Sequence, residues 1–317
     1  MTLKTSVDAV IPVYRPGEDF ALLLEKLKSQ TVPLRKIILM ITESADAVYP
    51  DFTGPVPVEC HTLEPEEFDH GNTRNRGVSY SDADYVLLLT QDAVPKDEYL
   101  TEKLLACFEN PAVASAYARQ LPKADCRVIE AYTRQFNYPA ESFVKSAEDL
   151  PRLGVKTYFC SNVAAMYDRR VMEELGGFTK HTIFNEDMIY AYEVIRNNYQ
   201  IAYAADAQVY HSHNYRGREQ LKRNFDLAVS QADHPEIFRA VSSEKEGMSL
   251  VKKTVSYLLH TGKWYLVPVL VWQSGMKYIG YFLGKRYKKL PKGMVRRLSM
   301  NQKYWEEYYG TDQSDAL

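Results

Sequence analysis

The chain has only four cysteines, Cys60, Cys107, Cys126 and Cys160, and no two of them form a CxxC pair. Scattered in this way they exclude a disulfide framework and a cysteine-based zinc site. They read as small buried apolar residues of a chain kept in a reducing, cytoplasmic compartment. No uninterrupted apolar run approaches the roughly 20 residues of a membrane span. The nearest candidate, residues 264–283, is broken by Pro268, Gln273, Ser274 and Lys277. The N-terminus enters an apolar stretch without the basic region and long apolar core of a signal peptide, so none is expected. The GxxxxGK[ST] phosphate loop, the GxGxxG dinucleotide fingerprint, the GxSxG elbow and the HExxH helix are all missing. Internal repeats and low-complexity segments are missing too.

One further absence is local. Residues 249–303 contain 12 Lys+Arg and no Asp or Glu, which leaves 27 basic against 41 acidic residues elsewhere, a charge of −14. The net charge of −2 hides this asymmetry. A basic segment of this kind points to an anionic partner, with nucleic acid and lipid headgroups as the two candidates.

What is present is ordinary globular material: 317 residues, 45% hydrophobic and 25% charged, enough for one large domain with an appendage or for two domains. The first half alternates. Val7–Val13 reads as a buried strand, closed by the turn Arg15-Pro16-Gly17. A helix follows with Phe20, Leu23, Leu24 and Leu27 on one face. Residues 37–41 form a second strand and 56–61 a third. Tyr85 to Leu89 gives five consecutive apolar side chains before Thr90-Gln91-Asp92. Residues 113–119 read as another strand, and 120–160 as a loop-rich, aromatic region shaping a cleft. Asn185 is the expected N-cap of a helix with Met188, Ala191, Tyr192 and Ile195 on one face. Residues 201–205 and 208–210 read as two short strands. Near 240–248 the pattern changes to Tyr- and Lys-rich helix, which places a boundary between domains 1–240 and 241–317. Strands alternating with helices predict an α/β fold with a mostly parallel sheet covered on both faces.

In such sheets ligands gather beyond the carboxyl ends of the strands. Asp92 stands there, where a carboxylate can face a metal or a phosphate, although a lone aspartate after a strand is also an ordinary turn residue. Glu186 and Asp187 open a helix. They can simply answer its dipole, or one of them can act as a general base. His211 and His213 follow a strand and share a face; they are structural or metal-ligating. Hard cations, Mg²⁺ or Mn²⁺, suit Asp92 and a diphosphate, with at most one histidine joining. The segment from Gly71 to Gly77 combines flexible backbone with Arg74 and Arg76, whose guanidinium forks suit phosphate or a nucleobase.

Ile11-Pro12-Val13-Tyr14, Arg74-Asn75, Asp92, Gly176-Gly177-Phe178 and Asn185-Glu186-Asp187 together resemble family 2 glycosyltransferases of the GT-A fold. His70-Gly71-Asn72-Thr73-Arg74-Asn75, Leu89 to Pro95, Arg119-Gln120-Leu121-Pro122, Phe136-Asn137-Tyr138-Pro139, Cys160-Ser161-Asn162 and His211 to Tyr215 resemble the bacterial rhamnosyltransferase branch. The resemblance covers about residues 5–235. It implies a nucleotide-sugar half (about 1–95), an acceptor half (about 96–240) and a helical C-terminal extension. Pro12, Val13, Tyr14 and Glu43 would hold the nucleoside. Gly71 and Gln91 would line the donor site, and Arg74 would reach the base or the diphosphate. Asp92 matches the second acid of the family's DxD metal motif, whose first acid is replaced here by Thr90. His211 would join the metal, with His213 as the fallback. Asp187 matches the catalytic base, and Glu186 would position the acceptor.

The reaction implied is inverting transfer of L-rhamnose from dTDP-β-L-rhamnose to a lipid-linked or polysaccharide acceptor, with Mg²⁺ or Mn²⁺. Rival readings are a UDP-hexose donor, a sugar nucleotidyltransferase, or an inactive glycan-binding module. The basic, aromatic segment 249–303 suits an anionic membrane interface, hence a peripheral protein on the inner face of the cell membrane. A helical pair against the catalytic domain or a second subunit, as in a homodimer, is the plainer alternative. No nucleic-acid module accompanies the charge, so nucleic acid is not an expected partner.

Overall fold

Strands buried on both faces of a parallel sheet read as unbroken apolar runs, and three such runs build the centre of this molecule. The computed structural model describes residues 5–238 and 243–310. In it the strands are β1 (Val7–Val13), β2 (Lys36–Thr42), β3 (Val58–Leu63), β4 (Tyr85–Leu89), β5 (Val94–Pro95), β6 (Val113–Leu121), β7 (Phe143–Lys145), β8 (Ala164–Asp168) and β9 (Gln200–Tyr210). They form one nine-stranded sheet in the order β3-β2-β1-β4-β8-β6-β9-β5, with β7 also paired to β9. The block β3-β2-β1-β4 is parallel, as is β6 with β9. Between them β8 runs antiparallel to both neighbours. The carboxyl ends of β1, β2, β4, β6 and β9 therefore open on the same edge.

The helices are α1 (Asp19–Lys28), α2 (His70–Ser79), α3 (Leu100–Ala106), α4 (Val128–Asn137), α5 (Leu150–Leu153), α6 (Arg169–Glu174), α7 (Glu186–Arg196), α8 (Gly217–Asp233), α9 (Pro235–Phe238), α10 (Ser243–His260), α11 (Val267–Gly284), α12 (Lys292–Leu298) and α13 (Gln302–Tyr309). As the periodicity predicts, α1 buries Phe20, Leu23, Leu24 and Leu27. They join Val7, Ala9, Ile11, Leu39, Leu87 and Leu89 in the main core. At the opposite edge of the sheet from the carboxyl ends, Asp8 is fully buried. Its carboxylate accepts from Arg35 at 3.0 and 2.7 Å and from Ser81 at 2.7 Å, which ties β1 to the turns before β2 and β4.

Four elements differ from the sequence reading. The stretch read as two strands at 201–205 and 208–210 is one strand, β9. Its pairing with β6 slips between Ala118 and Arg119, a bulge that takes up Ala205–Ala207 without ending the ladder. Residues 120–160 are not mainly loop, since α4 lies there, and β8 is an extra strand. The buried face of α7 is Ile189, Tyr190, Ala191, Val194 and Ile195, so Met188 and Tyr192 sit at its margin. Asn185 has a left-handed φ of 65°, whereas an N-cap is extended. Asparagine tolerates this conformation, and it turns the chain sharply into α7.

Contacts divide the chain into two compact units. The first comprises Met1–Cys126, Arg134–Lys180 and Glu186–Ser212, and the second Arg127–Thr133, His181–Asn185 and His213–Leu317. The boundary expected near 240–248 falls on residues 240–242, outside the described residues, and on the start of α10. In the second unit α8 and α11 lie against each other closely enough that a Cβ on Gly280 would come within 2.1 Å of the Leu221 carbonyl. Phe225, Val229, Tyr287, Val295 and Trp305 fill its core. Among the described residues no helix is long and apolar enough to cross a membrane.

Candidate functional site

The open edge of the sheet in the first unit collects most of the residues singled out in the sequence. Beyond β1, the Tyr14 backbone N–H donates to Gln91 Oε1 at 2.8 Å, and Gln91 Nε2 donates back to the Tyr14 carbonyl at 2.9 Å. This reciprocal pair joins the loops after β1 and β4. Pro12 is half-buried, Val13 is packed in the core, and Tyr14 is exposed with Arg15 5.3 Å from its ring centroid. Glu43 is exposed at the end of β2, where its N–H donates to the Leu63 carbonyl. Thr90 donates its backbone N–H to Val163, while its buried hydroxyl has no partner.

Asp92 and His211 come together. Asp92 Oδ2 lies 3.6 Å from His211 Nε2, and the histidine is buried. Two ligands held about 2.1 Å from one ion lie between about 3.0 and 4.2 Å apart, so this pair fits a shared divalent cation. One carboxylate and one imidazole form a donor set that Mg²⁺ or Mn²⁺ accepts. Lys123 adds positive charge to the same place, with Nζ 3.5 Å from Asp92 and 2.7 Å from Asp19. Behind His211, its Nδ1 meets Gln120 Oε1 at 3.0 Å. His213 is the first residue of the second unit.

A second cluster sits at the start of α7. Glu186 is buried and pairs with Arg74, Oε1 to Nη1 3.1 Å, and Arg74 also donates to the His70 carbonyl at 2.7 Å. Asn162 bridges the two acids. Its N–H donates to Asp187 Oδ2 at 3.3 Å and its amide to Glu186 Oε1 at 3.4 Å, while its own oxygen accepts from the Tyr167 hydroxyl at 2.7 Å. Asp187 Oδ1 accepts the Met188 N–H at 2.8 Å.

The two carboxyls are driven apart. Burial alone would raise Glu186, but the positive Arg74 and then His70 outweigh it and hold the group below its ordinary range. Asp187 is pushed up to about 7, first by loss of hydration and then by the negative Glu186. The place of Asp187 in the first turn of α7 works the other way, since a helix N-terminus favours the charged form. A helix end offers about 0.3–1 kcal/mol, less than one pKa unit, and burial beside a like charge exceeds that.

Gly71 and Asn75 have architectural contacts. A Cβ on Gly71 would fall 2.0 Å from the Thr179 carbonyl, so α2 can approach that strand of backbone only without a side chain there. Asn75 donates to the Phe178 carbonyl at 2.8 Å and accepts the Phe178 N–H at 2.9 Å, which pins the Gly176-Gly177-Phe178 turn. Nothing in the sequence singles out Lys123, Gln120 and Asn162 individually. Gln120 and Asn162 lie inside motifs quoted there, and Lys123 directly follows one, which is the only signal that could have found them.

Known proteins resemble this chain in sequence and in fold. The sequence model described as "Glycosyl transferase family 2" matches residues 8–176. The chain is 37% identical over 301 residues to O-antigen chain rhamnosyltransferase RfbN of Salmonella typhimurium, covering 94% of this chain and 96% of that protein. It is 36% identical over 306 residues to O-antigen chain rhamnosyltransferase WbaN of Salmonella anatum, covering 95% and 96%. Two solved structures share the fold. The mannosyltransferase PcManGT from Pyrobaculum calidifontis, in complex with GDP-Man and Mn²⁺, superposes with a TM-score of 0.55 at 14% identity, covering 100% of this chain and 89% of that one. S. aureus TarS 1–349 in complex with UDP-GlcNAc gives 0.53 at 13%, covering 90% and 92%. The expected α/β, GT-A architecture with a helical C-terminal part is thus the one found, and the chain belongs to glycosyl transferase family 2.

Proposed function

We propose that this glycosyltransferase moves L-rhamnose from dTDP-β-L-rhamnose, with inversion, to a hydroxyl of a lipid-linked or polysaccharide acceptor in cell-surface glycan synthesis. The observation that carries the mechanism is the split between Glu186 and Asp187. A general base works best with a pKa near the working pH, and Asp187, at about 7, meets that condition. Glu186 stays charged against Arg74 and keeps Asp187 there, while Asn162 and Met188 fix the direction of its oxygens.

In the reaction Asp187 takes the proton of the acceptor hydroxyl. That oxygen bonds to the anomeric carbon from the face opposite the nucleotide, and the bond from that carbon to the diphosphate oxygen breaks. dTDP leaves, and a β-L donor gives an α-L-rhamnoside. Asp92 and His211 would hold Mg²⁺ or Mn²⁺, which supplies Lewis-acid stabilisation of the departing diphosphate. Pro12, Val13 and Tyr14 with Glu43 would flank the nucleoside, Gln91 holds the Tyr14 loop in shape for it, and Arg74 would complete the donor side on an α2 that Gly71 lets pack against Thr179. The rhamnosyl part rests on the likeness to the two Salmonella enzymes over nearly the whole chain.

For its acceptor the enzyme would work at the inner face of the membrane as a peripheral protein. Trp264, Tyr265, Trp272, Tyr278 and Phe282 are exposed along one segment of the second unit, among the 12 basic residues of 249–303. Aromatic side chains beside Lys and Arg suit an anionic interface. The test is transfer or hydrolysis by the purified protein over a panel of nucleotide sugars, with Mg²⁺, Mn²⁺ or EDTA. A dTDP-L-rhamnose signal, lost on chelation and in Asp187→Asn, is expected. Preference for another sugar nucleotide would overturn the rhamnosyl assignment.

A further inference from the structure

Gln120 is buried at the end of β6, and all four hydrogen-bonding positions of its amide are used. Nε2 donates to the Tyr138 hydroxyl at 2.6 Å and to Ser161 Oγ at 3.0 Å. Oε1 accepts from Arg134 Nη1 and faces His211 Nδ1 at 3.0 Å. The direction of this amide is not arbitrary. A guanidinium has only donors, so turning the amide over would set Nε2 against Arg134, donor against donor. The two hydroxyls on the other side can donate or accept and do not decide the matter. The oxygen must therefore face Arg134, and so it also faces His211.

Near His211 Nδ1 lie Gln120 Oε1 at 3.0 Å and Arg134 Nη1 at 3.5 Å, the limit of a hydrogen bond. The oxygen is the nearer, and two acceptors at that distance repel, so His211 carries its hydrogen on Nδ1. In the neutral ring Nε2 is then the unprotonated nitrogen, and that is the atom 3.6 Å from Asp92 Oδ2. We propose that Gln120, oriented by Arg134, is a positioning residue that locks His211 in the Nδ1–H tautomer, so that Nε2 presents its lone pair toward Asp92 for a divalent cation. Partners of this kind on the far nitrogen of a ligating histidine fix the tautomer, and losing them costs about 10–100-fold in metal affinity. The proposal rests on the site described under Proposed function, although neither of its readouts uses turnover.

The experiment is two-bond ¹H–¹⁵N correlation of histidine-labelled, metal-free full-length protein at about pH 9, where an ordinary imidazole is neutral. His211→Gln identifies the signal among the seven histidines. The Nδ1–H pattern is expected in the wild type, and an Nε2–H pattern there overturns the proposal. Mn²⁺ binding followed by electron paramagnetic resonance supplies the second readout. Gln120→Met, which has no acceptor oxygen, should lose the tautomer preference and bind Mn²⁺ about 10–100-fold more weakly. Gln120→Glu keeps an acceptor for both Arg134 and His211 and should retain the tautomer and most of the affinity. If both variants fail alike, or Gln120→Met binds Mn²⁺ as well as the wild type, Gln120 is only a packing residue. If the tautomer and the Mn²⁺ series hold while no sugar nucleotide is turned over, the transferase reading fails and the lock stands.

Discussion

Arg74 Nη1 lies 3.1 Å from Glu186 Oε1, and through Glu186 it bears on the charge of the next residue, Asp187. Because the negative Glu186 is one of the two causes that raise Asp187, the pair should be visible in kinetics. With Asp187 as base, kcat/KM rises with pH through a midpoint near 7. Glu186→Gln removes the like charge and leaves Arg74 closer to unopposed, and both changes lower Asp187. The acid limb should therefore move to lower pH in the variant, read from kcat/KM profiles between about pH 5 and 9. An unmoved limb would mean that it belongs to another group.

Asp187→Asn should slow transfer by about 10²–10⁴-fold, the usual worth of a general base, with donor binding kept. Its effect on stability has a definite sign. The folded pKa of Asp187 lies above the unfolded value, so its contribution is fully present below about pH 3.9 and is lost as pH rises through about 7. At pH 8 the wild type holds an unfavourable charge that Asn lacks. Thermal unfolding should show a higher Tm for Asp187→Asn at pH 8, with the gap closing toward pH 4. A lower Tm at pH 8 would contradict the raised pKa.

Much of the parallel half of the sheet was legible in the chain, since β1, β2 and β4 are short apolar runs ended by turn residues. So was α1, through the spacing of Phe20, Leu23, Leu24 and Leu27. Strand β8 was not, because Ala-Ala-Met-Tyr-Asp has no alternation and its place between β4 and β6 depends on distant pairing. The bulge in β9 imitated a break between two strands. In the candidate site, Asp92, Asp187 and His211 stand out as polar residues at element ends. The Arg74–Glu186 pair and the Gln120–His211 contact join residues about a hundred apart, and nothing local to either partner specifies them. The raised Asp187 was likewise invisible, because burial and the charge of Glu186 act in three dimensions while helix position is read in one.

Asn75 and Gly71 offer a test of architecture apart from chemistry. Asn75→Ala strands the Phe178 N–H and carbonyl, at a cost of about 1–3 kcal/mol for each buried group left unmade. Gly71→Ala forces a Cβ toward the Thr179 carbonyl, and overpacking of this kind costs about 1–3 kcal/mol. Both should lower the urea midpoint without changing the slope of the transition. Equal stability with lost donor binding would instead assign these residues to the ligand.

Lys123 shares Asp92 with any bound cation. Two unit charges about 4 Å apart interact by about 1 kcal/mol even in bulk water, and Nζ is 3.5 Å from the carboxylate. Removing that competitor and its repulsion should tighten Mn²⁺ binding to the nucleotide-free protein roughly fivefold or more in Lys123→Met. Calorimetric titration at low salt measures this, and the gain should shrink as salt screens the charge. Unchanged Mn²⁺ affinity would place the cation away from Asp92.

The exposed aromatic segment of the second unit separates a membrane from a second copy of the chain. Trp264, Tyr265, Trp272, Tyr278 and Phe282 are exposed, Arg286 stands 3.8 Å from the Phe282 ring centroid, and Lys289 and Arg297 follow in a segment with no acid between 249 and 303. A lipid surface uses both features, with aromatic rings at the headgroup level and about 1 kcal/mol for each basic residue held near anionic lipid. The full-length protein should therefore float with vesicles containing phosphatidylglycerol, less with neutral phosphatidylcholine, and less again as salt rises. Trp264→Ser with Trp272→Ser should weaken binding to both vesicles. Lys289→Glu with Arg297→Glu, both exposed, should weaken only the anionic preference, by at least tenfold, since each reversal turns an attraction into a repulsion. A homodimer makes the opposite forecast: indifference to lipid charge, with light scattering that shows two chains in the wild type and one in the tryptophan variant.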